Sequence, residues 1–446
     1  MTDVVARTRG TLTVLRHWPG QRRIPFLDPE EAVRRRDANL RATVRYAAEH
    51  VPYYRALFAE GRIHPREIRS AEDLARLPAI DRQTVQRHPE RFRSTSRLGA
   101  EAVRFRTSGF TGHQLDVYHD RPSLLANIAY SERDRAVEAN VVGRRLHYSA
   151  VDLAMPSGTG QKVQRLYRQT TFRPLRPVRH RVSVDLPLER VVAMINELRP
   201  DVIRGDGGYV EAFFRTVVAR GIGLHVPRVV VYYGDMVTPD GRRLIEERFG
   251  APVLSRYGAM EAFKIGFLCE ERRGFHLYED LTHVAIVRDD GSPAAPDETD
   301  EIVLSNLVNR GTVLLNYRLG DLGVWQPRGC ACGRTSPLLR ELDGRVADVV
   351  HLPDGTFVYS GLIRTMFKHF DSILRFQLVQ HEADRFELRM ETVDRSSYEA
   401  IAGEVAARLR RRLSECEVAT SFHDTLEPEP GRKFRPFVVL PPPSSQ

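Results

Sequence analysis

The middle of the chain alternates between two hydrophobic patterns. In 188–198 the apolar residues Val191, Val192, Ile195 and Leu198 recur at the spacing of an amphipathic helix. Short runs rich in β-branched residues flank such stretches and indicate buried strands. In chain order the pattern predicts helix 188–198, strand 201–203, helix 209–219, strand 229–233, a helix capped by Thr238 and ended by Gly250, and strand 253–256.

Strands and helices that alternate over short connections form a parallel sheet with right-handed crossovers. Ligands of such sheets bind beyond the carboxyl ends of the strands. Three segments fall at those ends: 205–208 with Gly205 and Gly207, Gly234 with Asp235, and 257–261. We therefore expect these segments to line one site.

The flanking regions complete the predicted architecture. Near the start, Asp28 and Pro29 have the order of a helix N-cap and first helical residue. Further strands are predicted at 102–106, 115–118, 301–305 and 312–317, and the last hundred residues predict strands 349–352, 373–379 and 386–391, helices 361–370 and 398–413, and a final strand. We expect an α/β fold with a large N-terminal domain, 1–343, and a small C-terminal α+β domain, 344–446.

Composition narrows the class of protein. The chain has 446 residues, 42% apolar and 28% charged, which is typical of a soluble protein with a large core. No apolar run approaches the roughly 20 residues of a membrane helix, and the first residues lack a secretory signal pattern. We expect a cytoplasmic protein without a membrane partner. The net charge of +9 comes from dispersed Arg residues without interleaved aromatic residues, so it indicates a solvated surface rather than nucleic-acid binding.

The block 107–112, Thr-Ser-Gly-Phe-Thr-Gly, lies between two predicted strands. Backbone N–H groups and hydroxyls of such a loop can bind phosphate oxygens, and glycine permits a close backbone approach. A polar glycine turn between strands has the same composition, so the block alone leaves both interpretations open.

The cysteines form a second candidate site. Cys269 and His276 lie close in sequence, and Cys330 and Cys332 follow much later. Three thiolates and one imidazole suit tetrahedral zinc, but the spacing is not that of a common zinc finger. Reduced thiols without a metal are the alternative.

The chain resembles the adenylate-forming ligase superfamily, in particular its phenylacetate–coenzyme A ligase-like branch. The resemblance rests on motifs in family order: Thr107, Ser108, Gly109, Thr111 and Gly112 of the phosphate loop; Gly234-Asp235; Tyr257-Gly258-x-x-Glu261; Tyr317-Arg318-x-Gly320-Asp321; Gly344-Arg345; and Gly431-Arg432-Lys433. It implies a mobile C-terminal domain, and in this branch a similar Cys/His pattern implies a structural zinc held by Cys269, His276, Cys330 and Cys332.

The resemblance also implies a role for each motif. Tyr257 and Gly258, with Gly234 and Asp235, would border the adenine; Asp321 would bind the ribose, with Arg318 nearby; Glu261 would hold Mg²⁺; Arg345 would lie by the ribose or phosphate; and Lys433 would stabilise charge between carboxylate and phosphate. The substrate acid would contact Tyr130, Gly205, Gly207, Ala259 and Met260. Two departures are present, because His113 follows the phosphate loop where the family often has Lys, and Ala347 replaces the first hinge acid.

These implications give an expected function. The chain would use Mg-ATP to convert an aryl or otherwise hydrophobic carboxylate into an acyl-adenylate with pyrophosphate release, then pass the acyl group to a thiol such as coenzyme A or to an amine. One alternative is AMP-forming activation of another oxyanion, such as nitrite for diazotisation of an aromatic amine, or adenylylation of a coenzyme. The other is a non-catalytic nucleotide-binding relative. A homodimer is a further expectation.

Overall fold

The computed structural model describes residues 2–61, 63–106, 115–144, 148–155, 159–172, 179–288, 290–326, 329–340, 349–353, 357–359, 363, 366–367, 370, 372–426 and 436–439. The α-helices, α1 to α13, are Thr2–His17, Pro29–His50, Pro52–Ala59, Arg82–Arg87, Pro89–Phe92, Arg97–Ala100, Arg121–Tyr130, Glu132–Val142, Thr159–Thr170, Leu188–Leu198, Gly207–Ala219, Pro239–Phe249 and Arg395–Arg412. Short 3-10 helices are Ile24–Phe26, Pro65–Glu67 and Glu72–Arg76.

The strands, β1 to β20, are Val103–Arg106, Asp116–His119, Ala150–Ala154, Arg179–Ser183, Val202–Asp206, Val229–Tyr233, Val253–Tyr257, Gly266–Leu268, Phe275–Leu277, Thr282–Val287, Asp300–Asn306, Tyr317–Gly323, Trp325–Gln326, Leu338–Leu339, Val349–His351, Phe357–Tyr359, Ile373–Glu382, Arg385–Thr392, Glu417–Phe422 and Phe437–Val439. Among the helices so described, none has the length and apolar character that a membrane crossing requires.

A nine-stranded sheet organises the large part of the chain, in the order β13-β14-β9-β8-β7-β6-β5-β3-β4. Strands β7, β6, β5, β3 and β4 are parallel, as the alternation of strands and helices predicted. From β7 onward the pairing with β8, β9, β14 and β13 is antiparallel. The inner parallel strands are buried on both faces, which explains the continuous β-branched run of β6, whereas the edge strand β4 is only partly buried.

Several predicted elements are confirmed. Helix α10 and strand β6 have the predicted bounds. Thr238 Oγ1 accepts a hydrogen bond from the Gly241 amide at 3.0 Å, and Gly250 closes α12 in the left-handed region at φ 63°. Asp28 caps α2 by accepting from the Glu30 amide.

Two predictions at element ends were wrong. Segment 205–208, predicted to lie between strand 201–203 and helix 209–219, is not a separate connection, because β5 continues to Asp206 and α11 begins at Gly207. A Cβ on Gly207 would lie 2.2 Å from the Asp235 carbonyl oxygen, so this glycine permits a close approach between chain segments rather than a loop.

The predicted strand 312–317 was also wrong, since β12 begins only at Tyr317. Its apolar residues Val313, Leu314 and Leu315 are buried, as a strand would be, but their backbone groups bond outside a ladder. The Leu315 amide donates to Tyr54 Oη at 2.8 Å, and the Asn306 amide donates to the Leu314 carbonyl at 3.0 Å. Burial of an irregular segment is tolerated here because such partners satisfy its polar groups.

The C-terminal elements form the predicted α+β module. Its sheet has the order β19-β18-β17-β20, and its side chains build a core of their own around Leu378, Leu388 and Leu409. Arg412 of α13 forms an ion pair with Asp185 of the large part at 2.6 Å. Of the predicted helix 361–370 only four residues are described, and the predicted boundary at 343/344 lies outside the described residues, so the domain division stays a prediction.

Helix α8 is rich in charged residues that are nevertheless buried. Arg204 of β5 donates to Glu138 Oε1 at 3.1 Å and to Asp152 of β3 at 3.2 Å, and both Glu138 and Arg204 are about 1% exposed. Arg256 of β7 pairs with Glu138 and with Asp134, the latter at 2.6 Å. Burial opposes ionisation, but Arg204 and Arg256 hold the pKa of Glu138 well below its ordinary value, so the carboxylate is charged. We call Asp134, Glu138, Asp152, Arg204 and Arg256 the buried ion cluster.

Glu138→Ala should destabilise the fold by roughly 3–5 kcal/mol, because it leaves two guanidinium groups buried without their shared carboxylate. Urea unfolding measures the change. Glu189, exposed and paired with Arg220, supplies the matched control, and Glu189→Ala should change the free energy of unfolding little. Equal, small effects of the two substitutions would show that the cluster does not hold α8 to the sheet.

Candidate functional site

The predicted edge of the sheet is present. Tyr257 ends β7, Gly234 directly follows β6, and Asp206 ends the neighbouring β5. Gly234 has φ 77°, and a Cβ there would lie 2.5 Å from Asp206 Oδ1, so the ends of β5 and β6 are in contact. Asp235 is buried at the same edge.

Strand β12 brings a second sheet to this edge. The Tyr257 hydroxyl donates to Asp321 Oδ2 at 3.0 Å, although the two residues are 64 positions apart. Two residues that the resemblance assigns to one nucleotide are thus in direct contact. Arg318 of the same strand forms an ion pair with Glu301 of β11.

Glu261 lies beside this pair as a buried carboxylate. The Tyr317 hydroxyl donates to its Oε1 at 3.3 Å, and Arg82 approaches the same oxygen to 3.8 Å. Burial raises the pKa of Glu261, Arg82 and the Tyr317 hydrogen bond oppose that shift, and the nearby Asp321 charge adds to it. A bound cation would relieve the cost of keeping this carboxylate ionised.

The turn between Tyr257 and Glu261 is held tightly. A Cβ on Gly258 would lie 2.4 Å from the Phe263 carbonyl oxygen, so glycine is required there. His119 Nε2 lies 2.7 Å from the Met260 carbonyl oxygen. Burial lowers the pKa of His119 to about 4, so the neutral imidazole can donate this hydrogen bond. The contact fixes Ala259 and Met260 against β2.

A cavity of about 190 Å³ opens at the same edge. It is lined by Asp134, Tyr233, Arg256, Tyr257, Gly258, Phe263, Lys264, Gly266 and Tyr278. Tyr257 and Gly258 therefore border both the cavity and the Asp321 side of the site. Lys264, Tyr278 and Asp134 were not predicted, and neither was Arg82.

The residues predicted for the substrate acid are not among those that line this cavity, and their role stays a prediction. Gly205 packs against Leu153 and Val210, and Gly207 against Asp235. The Tyr130 hydroxyl in α7 lies 3.4 Å from His17 Nδ1. The phosphate-loop residues Thr107, Ser108, Gly109, Thr111 and Gly112, together with Arg345 and Lys433, are outside the described residues.

The four predicted metal ligands meet at the edge of the large sheet. Cys269 follows β8, His276 belongs to β9, and Cys330 and Cys332 lie between β13 and β14. Their ligand atoms all lie within 4.8 Å of one another. The Cys269 and Cys330 sulfurs are 3.7 Å apart, and Cys332 Sγ is 3.3 Å from His276 Nε2.

These separations fit a tetrahedral zinc. Zinc–ligand bonds of about 2.3 Å to sulfur and about 2.1 Å to nitrogen give ligand separations of about 3.8 Å and about 3.6 Å. A contact to Ser336 Oγ at 3.1 Å engages His276 Nδ1 and leaves Nε2 toward the thiols. The donor set and its geometry therefore suit the metal that the resemblance implies.

Comparison with known proteins gives relatives along most of the chain. The phenylacetate–coenzyme A ligase of Thermus thermophilus is 26% identical over 379 residues, which cover 81% of this chain and 82% of the relative. That of Pseudomonas putida is also 26% identical, over 70% of each chain. The chain is a homologue of the phenylacetate–coenzyme A ligases. No protein-family profile matches it.

Solved structures show that this ligase homologue has the acyl–coenzyme A ligase fold. A 2-hydroxyisobutyryl–coenzyme A ligase in the postadenylation state superposes with a TM-score of 0.61 at 17% identity, covering 95% of this chain and 91% of that one. The same enzyme in its thioesterification state gives a TM-score of 0.61 at 19% identity, covering 94% and 91%. At these low identities the superpositions show the fold alone, and their coverage extends over the C-terminal module.

Proposed function

We propose that this ligase homologue adenylates a carboxylic acid with ATP and then transfers the acyl group to a thiol, with coenzyme A as the acceptor. The observation that carries the proposal is the meeting of Tyr257, Glu261 and Asp321 at the carboxyl edge of the parallel strands. They come from two separate segments, and each has the chemistry that one part of Mg-ATP requires. The names of the relatives support coenzyme A as the acceptor.

In the proposed reaction a carboxylate oxygen of the acid attacks the α-phosphorus, and the bond to pyrophosphate breaks. The Tyr257 ring would lie against the adenine, while Asp321 would accept hydrogen bonds from the ribose hydroxyls. The Tyr257 hydroxyl already orients that carboxylate. Glu261 would hold magnesium, which neutralises phosphate charge.

The remaining roles rest on the resemblance alone. The phosphate loop around Ser108 would contact the β- and γ-phosphates through its amides and hydroxyls. Gly234 and Asp235 would border the adenine, and Arg345 the ribose or phosphate. Lys433 would lie between the attacking carboxylate and the α-phosphate, where negative charge accumulates.

Glu261→Gln preserves shape but removes the charge that would face magnesium. Pyrophosphate release with a panel of carboxylic acids should fall by about 10²-fold or more, and the Mg²⁺ concentration for half-maximal rate should rise. Glu298→Gln, at an exposed ion pair with Arg288, is the control and should keep the wild-type rate.

Asp321→Ala should chiefly weaken ATP binding, because it removes the ribose acceptor. Tyr257→Phe removes only the hydroxyl that orients Asp321 and should weaken ATP less. Wild-type rates and ATP affinity in both Glu261→Gln and Asp321→Ala would show that the site is misplaced.

Lys433→Arg preserves charge but replaces a compact ammonium by a wider, forked guanidinium. With four Lys among 67 basic residues, a lysine at this position suggests a need that arginine does not meet. Adenylate formation should fall by about 10²-fold or more, while ATP binding changes little. Lys162→Arg, on α9, is the matched control. A Lys433→Ala protein that forms adenylate at the wild-type rate would remove Lys433 from the mechanism.

We also propose that Cys269, His276, Cys330 and Cys332 bind one structural zinc. With four protein ligands the ion would have no open position for substrate, so its role would be to join β8 and β9 to the chain between β13 and β14.

Metal analysis of the purified protein should give about one zinc per chain. Cys332→Ser should lower zinc content and melting temperature together. Cys416, the remaining cysteine, lies outside this cluster, so Cys416→Ser should retain the metal. Full zinc retention in both Cys332→Ser and Cys269→Ser would refute the site.

A further inference from the structure

The cavity at the sheet edge has the position of an acid-binding site if the proposed adenylation is correct. Tyr257 and Gly258 form part of its wall, and Tyr257 also contacts Asp321 on the nucleotide side. A molecule in the cavity would thus reach the nucleotide along the Tyr257–Gly258 turn.

The size of the cavity limits its occupant. A cavity of about 150 Å³ accommodates benzene in a protein interior, and this one measures about 190 Å³. It therefore has room for one six-membered ring and a small substituent. The reacting carboxylate would lie outside it, toward the nucleotide.

The cavity wall carries polar side chains that could not form hydrogen bonds with an unsubstituted hydrocarbon ring. The Tyr278 side chain is about 1% exposed and lines the cavity. Among the described residues its hydroxyl has no partner at strict hydrogen-bonding geometry, but burial and the nearby Asp134 carboxylate raise its pKa, so Asp134 already attracts this hydroxyl. Lys264 Nζ lies 3.3 Å and 3.5 Å from the two oxygens of Asp134. Since an ammonium has three N–H groups, this one carboxylate does not exhaust its donors. The remaining N–H of Lys264 is therefore available to an acceptor in the cavity.

Among the residues that line the cavity itself, the cations outnumber the anions. Two cations, Arg256 and Lys264, face one anion, Asp134, and Arg256 is shared with Glu138. Burial lowers the pKa of Lys264 to about 8, and Asp134 only partly offsets that cost. An anion in the cavity would stabilise the ammonium.

We infer that the substrate is a single-ring carboxylic acid whose far end carries an anionic oxygen group, bound by Lys264 and Tyr278. This rests on the proposed function for the reaction itself, but the binding can be tested separately. The inferred substrate has the aryl ring that the sequence predicted and, in addition, a charged substituent.

The test compares three acids of similar shape: phenylacetate, 4-carboxyphenylacetate and 4-(aminomethyl)phenylacetate. Calorimetry without ATP gives their dissociation constants, and pyrophosphate release gives kcat/KM. Both should favour 4-carboxyphenylacetate over the other two by about tenfold or more. Lys264→Met should bring the ratio between 4-carboxyphenylacetate and phenylacetate close to one, and Tyr278→Phe should reduce that ratio by several-fold.

Arg179→Met is the matched control. Arg179 approaches Asp152 of the buried ion cluster but does not line the cavity, so its loss should leave the preference intact. A wild-type preference for phenylacetate or the ammonium acid would overturn the inference, as would a Lys264→Met variant that weakens all three acids equally. Lys264-dependent binding of the anionic acid without pyrophosphate release from any acid would support the cavity assignment and refute the proposed adenylation.

Discussion

The buried ion cluster is the constraint on which the site depends. Arg204 extends from β5 into a region closed to water, and Arg256 of β7 is mostly buried beside it at the cavity wall, so either guanidinium would be costly without a partner. Glu138 and Asp134 of α8 compensate them, and this pairing fixes the helix against the sheet. The wall of the cavity follows from it, because Asp134 and Arg256 belong to both the cluster and the cavity. Asp134 and Arg256 therefore both stabilise the fold and set the charge of the cavity wall, and a substitution of either residue would affect both.

The position of Tyr257 also depends on the antiparallel half of the sheet. Tyr257 pairs with Gly266 of β8, β8 pairs with β9, and β9 pairs with β14. The cysteine–histidine cluster lies at the far side of these short strands. Three-residue strands have few ladder bonds, so a four-ligand metal there would supply the rigidity that their length does not. The position of Tyr257 would then rest on parallel pairing to β6 on one side and on the cluster, through β8, on the other.

The sequence predicted the features that depend on residues close together in the chain, and it did not predict those that depend on contacts between distant segments. Helix α10 and strand β6 follow from the spacing of nearby residues. The strand ends predicted the position of Tyr257 and Glu261, and the family resemblance assigned Asp321 to the same nucleotide, which agrees with the Tyr257–Asp321 contact. The close packing that requires glycine at position 207 could not be predicted, because the chain segment it packs against, at Asp235, is distant in sequence. The charged sequence of α8 has the composition of a solvated helix, and its burial depends on cations from two remote strands. Arg82 lacked any motif, whereas Tyr317 was visible as the first residue of one.

Some residues of the site belong to motifs that the resemblance assigns to nucleotide binding, whereas others lie outside those motifs. The Tyr257–Asp321 contact needs only the strand ends that a common fold provides, so it suits any acid. Lys264 is different, because it comes three residues after Glu261, beyond the motif, and its ammonium is buried against Asp134. A buried lysine is costly, and Asp134 already has Arg256 as a partner. With three carboxylates and two guanidinium groups the cluster still needs the charge of Lys264, but this ammonium lies in the cavity wall. An anionic ligand in the cavity would therefore contact a lysine whose position the fold already fixes.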